Sequence, residues 1–303
     1  MRNAFVQSLI SCAEQDSRVA LLMAEVGFSV VEPFEQKFPD RFFNTGIAEQ
    51  SLVTTAAGMA VAGMRPVAYS MSCFLPSRAF ELIKVSLCYQ NLPVTLVGVG
   101  AGLSYGEMGP THHAAEESSI MCTLPNMTVI FPCDAADMRD ALAWSVGHEG
   151  GPVYISFPKA AAPVLPAHDF ETGKAVKYRS GRDGAILAVG MMTETALRAA
   201  DLLSNLNIQL SVYGLHTVKP MDQAAVAEAA QTGNVFVLDE HFASTGELIA
   251  SIILKQAIPI QRFLDISLPD LFPDKIMRYS EMLDAYDLTA VKISDRIARM
   301  YQK

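Results

Sequence analysis

The sequence is poor in charge: 18% of its 303 residues are Asp, Glu, Lys or Arg, the formal net charge is −9, and there is one tryptophan. An acidic chain with so few cations offers no basic face for nucleic acid. The five cysteines, Cys12, Cys73, Cys88, Cys122 and Cys133, form no C-x-x-C pair and no metal-ligand spacing. An odd, scattered set points to reduced thiols in a cytoplasmic protein. No apolar run approaches the ~20 residues of a membrane span, and the longest, Leu92 to Leu103, is broken by glycines and a proline. Gln7 and Ser8 split the apolar start, so no secretory signal is expected there. Walker and H-E-x-x-H motifs are absent, and the G-x-G at Gly98–Gly100 lacks a third glycine and a downstream acid. Internal repeats and low-complexity tracts are absent too. Apolar side chain is what the chain has in quantity, at 50% hydrophobic residues, enough for one large core or two ordinary ones.

That apolar content is periodic. Short continuous runs at Val19–Met23, Val67–Tyr69, Val94–Val99, Thr128–Phe131 and Val153–Phe157 alternate with helical stretches at Ala48–Ala62, Phe74–Tyr89 and Ala135–Gly147. Strands without polar alternation, separated by helices, imply a parallel sheet covered on both faces. The pattern lapses between about Lys159 and Asp183. It resumes with strands at Ala185–Val189, Gln209–Tyr213 and Val235–Leu238 and helices at Thr193–Asn205, Asp222–Gln231 and Gly246–Gln256. The expectation is two doubly wound α/β domains, residues 1–165 and 183–303, joined by an exposed connector at 166–182.

In such sheets ligands sit where strands pass into helices, which singles out three segments. In Phe42–Gln50, Gly46 interrupts the run and Glu49 falls in the first turn of a small-residue helix. It either complements the helix dipole or stands in an apolar site, where a carboxyl is pushed up unless paired. The glycine-rich Gly100–His113 carries the adjacent His112 and His113, which serve as turn residues or in proton transfer. Tyr69–Arg78 carries Phe74, a core residue or an aromatic platform.

In this order the three segments resemble the transketolase-like family of thiamine-diphosphate enzymes, its pyrimidine-binding domain followed by its C-terminal domain. KFPDRFFNTGIAEQ is similar to the stretch ending in the catalytic glutamate, and YSMSCFLPSRAFELI to the aromatic segment that stacks on the cofactor's aminopyrimidine. GEMGPTHH followed by LPNMTVIFPCD is similar to the loop bearing the substrate-facing histidine. LDEH, expected to begin the last helix of the second block, is similar to the C-terminal domain.

The resemblance implies that Glu49 holds N1′ of the pyrimidine in the required tautomer. Phe74 would stack on that ring, with Arg78, Tyr69 and Glu25 nearby and Val26 propping the bent cofactor. His112 would face the substrate, with His113 beside it and Arg2, Ser29 and Lys159 completing the substrate set. Two positions depart from the family, whose members commonly have Asp where Glu25 and Met108 stand. Many members also carry an arginine after the strand Val153–Phe157, where this chain reads YISFPK with Lys159 as a point charge.

The family's G-D-G motif and later asparagine, which hold magnesium against the diphosphate, do not occur in the sequence. The expectation is therefore the C-terminal subunit of a split transketolase, moving a two-carbon ketol unit between sugar phosphates or related carbonyl compounds. Its Mg2+ would be held by an N-terminal, diphosphate-binding partner, and the chain itself would hold no metal. The expected assembly is an α2β2 heterotetramer, with no nucleic-acid or membrane partner. Two alternatives stand beside it. One is acyl transfer from a 2-oxo acid to a sugar, lipoyl or carrier-protein acceptor, as in 1-deoxyxylulose-5-phosphate synthase or 2-oxo-acid dehydrogenase β subunits. Against the synthase, Gly100 stands where it places a substrate arginine. The other is a non-catalytic regulatory subunit.

Overall fold

Runs of five or six residues buried at every position form the centres of two sheets, because each such strand is covered on both faces. A computed structural model describes residues 1–242 and 244–302. The first half runs α1 (Arg2–Gln15), β1 (Val19–Met23), α2 (Glu32–Lys37), β2 (Phe42–Asn44), α3 (Glu49–Val61), β3 (Arg65–Met71), α4 (Leu75–Arg78), α5 (Phe80–Leu82), β4 (Thr95–Val99), α6 (Glu117–Cys122), β5 (Thr128–Ile130), α7 (Ala135–Gly147) and β6 (Val153–Phe157). The second runs β7 (Val176–Arg179), β8 (Gly184–Val189), α8 (Met192–Ser204), β9 (Leu210–Leu215), β10 (Thr217–Lys219), α9 (Gln223–Ala230), β11 (Asn234–Phe242), α10 (Ser244–Lys255), β12 (Arg262–Leu268), α11 (Tyr279–Ala285) and α12 (Ala290–Tyr301).

The strands form a seven-stranded sheet, β10-β5-β6-β4-β3-β1-β2, and a five-stranded sheet, β12-β11-β8-β9-β7, each parallel but for one antiparallel edge strand. On one face of the first sheet, Phe5 and Leu9 of α1 and Met138 and Leu142 of α7 pack against Leu21, Val67 and Val97. On its other face an apolar cluster continues into the second half, joining Leu22, Leu52 and Leu96 to Met121, Phe131, Leu215, Val218 and Ile249. Two doubly wound α/β units therefore share a core.

Four local readings change. The edge strand β10 of the first sheet comes from the second half: Thr217 pairs with Ile130 and Lys219 with Val129, while the Lys219 ammonium donates to the Cys122 and Leu124 carbonyls. The stretch expected as connector, 166–182, ends in β7, which pairs with β9. The helix expected over Phe74–Tyr89 is divided into α4, α5 and a π-helical turn at Ile83–Cys88, with Pro76 in the first turn of α4 and Ala79 between the pieces. LDEH ends β11 rather than opening a helix. All five cysteines are free thiols. Among the described residues, no helix is long and apolar enough to cross a membrane.

Gly98 of β4 shows how tightly the carboxyl end of the sheet is filled: a Cβ there would lie 2.6 Å from Ser72 Oγ and 2.7 Å from Tyr154 Oη. Gly98→Ala is expected to cost about 1–3 kcal/mol through overpacking. Gly58→Ala, on α3 with nothing within 4 Å of the new methyl, should be neutral or stabilising. Urea denaturation of the two variants checks this contrast.

Candidate active site

The chain breaks at Gly46, where φ is +70°, and α3 then begins on Glu49, whose side chain is only 2% exposed. A carboxylate so deep needs partners. Its Oε1 accepts from Ser70 Oγ of β3 at 3.1 Å, and its Oε2 accepts from Arg78 Nη1 at 3.0 Å. The Arg78 guanidinium, at the end of α4 and half exposed, also lies over the Phe74 ring, 4.3 Å from its centroid. The imidazole of His112 meets the same ring nearly edge-on, with centroids 5.3 Å apart and planes at 68°. Glu49, Arg78, Phe74 and His112 thus form one contiguous cluster from three separate segments. Glu49 is thus both buried and paired. Ser70 is a member that no sequence motif announces. Strand alternation is the signal for it, since Tyr69 and Ser70 must face opposite sides of β3.

The other expected residues lie apart from one another. Glu25, in the left-handed region at φ +48°, accepts from Asn44 Nδ2 at 2.7 Å, and Asn44 Oδ1 accepts from the Gly46 N–H at 2.9 Å. It therefore braces the turn that delivers Glu49. Ser29, also left-handed at φ +63°, donates its backbone N–H to Glu32 at the start of α2, and Val26 packs at the rim of the α1-side core. Tyr69 does not reach the cluster: it is buried on the opposite face, stacked on Phe5 at 5.1 Å. Burial raises the Tyr69 phenol well above its ordinary value, against the opposing charge of Arg2. Lys159 lies with its ammonium 4.9 Å from the Tyr105 ring centroid, beside a cavity of about 210 Å³ that Ser104, Met108 and Tyr279 also line.

The two histidines differ sharply. His112 Nδ1 is engaged with Thr111 Oγ1 at 2.9 Å. His113 is 5% exposed, and neither of its ring nitrogens has a hydrogen-bond partner among the described residues. Burial, helped by the neighbouring His112 and opposed by the Gly106 backbone, lowers the His113 imidazole below its usual value, so it is neutral near pH 7.

Phe43 of β2 and Phe28, Ile47 and Met108 of the segments between strands and helices stay exposed. A buried acid beside an aromatic ring, with apolar side chains around the opening, fits a flat, basic heteroaromatic ring. Among the described residues, no group of three or more His, Cys, Asp or Glu side chains is placed to hold a metal ion. Arg78→Met keeps an apolar chain over Phe74 and removes the donor to Glu49. It is expected to destabilise the chain by about 1 kcal/mol, modest because the guanidinium is half exposed. That loss should largely vanish in a Glu49→Gln background, which a double-mutant cycle by urea denaturation would show.

Residues 1–164 match the family model for the transketolase pyrimidine-binding domain, and residues 173–293 match that for the transketolase C-terminal domain. One subunit of an apulose-4-phosphate transketolase from Phocaeicola vulgatus is 32% identical over 276 residues, covering 89% of this chain and 87% of that one. A 1-deoxy-D-xylulose-5-phosphate synthase from Aquifex aeolicus is 35% identical over 278 residues, but that alignment spans 89% of this chain and only 44% of the synthase. A solved split-gene transketolase, described as an inactive β4 tetramer, superposes with a TM-score of 0.88 at 32% identity over 98% of this chain and 96% of that one. With both domain models matched in order and relatives aligned almost end to end, the chain belongs to the transketolase family.

Proposed function

We propose that the chain is the second subunit of a two-component, thiamine-diphosphate-dependent transketolase, which moves a two-carbon ketol unit between sugar phosphates or related carbonyl compounds. The observation that carries this reading is the Glu49–Arg78–Phe74–His112 cluster at the carboxyl edge of the first sheet. When bound, the cofactor supplies the carbon nucleophile and electron sink that the amino acids lack.

The roles of this chain follow from its own geometry. Glu49, fixed by Ser70 and Arg78, keeps an oxygen lone pair free to hold the proton at the pyrimidine N1′. Arg78 occupies one face of Phe74, which leaves the opposite face for the pyrimidine to stack on. Because Thr111 engages His112 Nδ1, it is Nε2 that meets the substrate oxygen, as a proton carrier or as a donor to developing negative charge. Arg2 and Lys159 bring positive charge for a phosphorylated or otherwise anionic substrate, and Ser29 adds a hydroxyl. The diphosphate and its Mg2+ are assigned to an N-terminal-type partner, in an α2β2 assembly working in the cytoplasm.

The synthase-like alternative meets a structural objection. At the position where the synthase has its substrate arginine, Gly100 adopts φ +98°, and a Cβ there would lie 2.1 Å from the Tyr105 ring. No side chain enters that position unless Tyr105 moves.

Assembled with its partner, the wild-type chain should bind thiamine diphosphate and catalyse ketol transfer. Glu49→Gln should lower kcat by roughly 100-fold or more, the usual scale for a positioned acid–base group, with little change in KM. Full turnover by Glu49→Ala, or pyruvate-dependent release of carbon dioxide in place of ketol transfer, would overturn the assignment.

A further inference from the structure

A strand that ends in three consecutive ionisable residues, all buried, demands an explanation. Asp239, Glu240 and His241 are 1%, 4% and 2% exposed at the tip of β11, in the C-terminal domain. None of them belongs to the Glu49 cluster. Beside partners in their own domain, they reach the histidine loop of the other domain and α6, the helix that follows it.

The contacts form two arms. In one, Glu240 Oε2 accepts from the Leu103 N–H at 3.4 Å, and both of its oxygens accept from the Tyr279 hydroxyl of α11, at 2.9 and 3.0 Å. In the other, His241 lies between two carboxylates, with Nδ1 2.6 Å from Asp239 Oδ1 and Nε2 3.2 Å from Glu117 Oε1. That same Glu117 oxygen accepts from the Gly102 N–H at 3.3 Å, and its other oxygen accepts from the Tyr154 hydroxyl. Asp239 Oδ2 accepts from Thr245 Oγ1 at 2.7 Å. Burial works against charge on His241, but Asp239 and Glu117 outweigh it and hold the imidazole well above its usual value, so the pair of acids faces a cation.

Both arms end on adjacent backbone N–H groups, at residues 102 and 103. The same place forms the neck of the loop: Ala114 N–H donates to the Gly102 carbonyl at 2.8 Å, and Phe242 N–H, one residue past His241, donates to the Ala115 carbonyl at 2.9 Å. Between the two sides of the neck lies His112. Gly102 adopts φ +56°, and a Cβ there would come within 2.6 Å of three Glu240 side-chain atoms, so only glycine admits the carboxylate. Further along, Met277 N–H donates to the Gly106 carbonyl at 3.3 Å.

We infer that the tip of β11 is a positioning device for the active-site histidine: Glu240 directly, and His241 through Glu117, clamp the neck of the 100–116 loop and so fix where His112 stands. The C-terminal domain then serves the reaction without touching substrate. This inference rests on the reading of His112 as the substrate-facing group. Glu240 is the positioning residue most open to test. The groups facing it are Asp239 and His241 of its own strand, Tyr279 of α11 and the Leu103 N–H. Burial pushes its carboxyl up to about 7, against the His241 charge and those two hydrogen bonds.

The test uses the full-length chain alone and assembled with its partner. In the free chain, Glu240→Ala should accelerate amide exchange in the peptide 101–116 and leave α3 and β4 unchanged. In the assembled enzyme it should lower kcat by roughly tenfold or more, as misplacement of a reacting group does, with the thiamine-diphosphate Kd within about twofold of wild type. Glu240→Gln, whose amide oxygen can still accept from Leu103, should rescue both measurements. The inference is overturned if exchange in 101–116 stays at the wild-type rate, if kcat is unchanged while the loop loosens, or if Glu240→Gln behaves like Glu240→Ala. Should the wild-type assembly carry out no ketol transfer while the exchange results hold, the clamp stands and the catalytic reading fails.

Discussion

A carboxylate withdrawn from water must be given donors or a counter-charge, and four of them govern the architecture on the carboxyl side of the first sheet. Glu49, Glu117, Asp239 and Glu240 are each at most 4% exposed. Glu49 is satisfied locally by Ser70 and Arg78, which ties α3 to β3 and α4. Asp239 is satisfied within the second half by His241 and Thr245, whereas Glu240 takes Tyr279 from its own half and the Leu103 N–H from the other, and Glu117 takes Tyr154 from its own half and His241 from the other. The apolar cluster shared by the two halves supplies non-directional attraction. The buried acids add direction, because only one relative placement of the domains brings every donor to its acceptor.

The division of labour between the halves follows. Every member of the Glu49–His112 cluster comes from the first half. The second half closes the site from behind and, through β10, completes the first sheet. Phe28, Phe43 and Ile47 of the first half leave large apolar side chains exposed. The cluster is presented at the carboxyl edge of a parallel sheet.

How much of this is legible in the sequence depends on range. Val19–Met23, Thr95–Val99 and Val153–Phe157 are buried on both faces, so a continuous apolar run announces each of them. Thr217–Lys219 and Val176–Arg179 are short edge strands with polar members, and nothing local separates them from loop. Glu49, Phe74, Arg78 and His112 can be picked out individually. Their mutual contact cannot, because it is made by the sheet order that sets β1, β3 and β4 side by side. The expectation for Tyr69 fails for want of the strand's facing, which gives the inner position to Ser70. LDEH is set at a helix start by the family resemblance. Only the distant Glu117 and Leu103 explain why it ends a strand instead.

The borrowed strand β10 bears on how the chain comes to be folded. Until residues 217–219 have been synthesised, the β5 edge of the first sheet carries unpaired backbone groups, the kind of exposed edge on which strands of other molecules can pair. At ordinary rates of translation the roughly sixty residues between β6 and β10 take several seconds to emerge. The first domain is thus topologically unfinished for as long as the second is missing. A chain cut in the connector would release two pieces that each lack something the other holds: the first its edge strand and the His241 partner of Glu117, the second the Leu103 N–H that Glu240 accepts from.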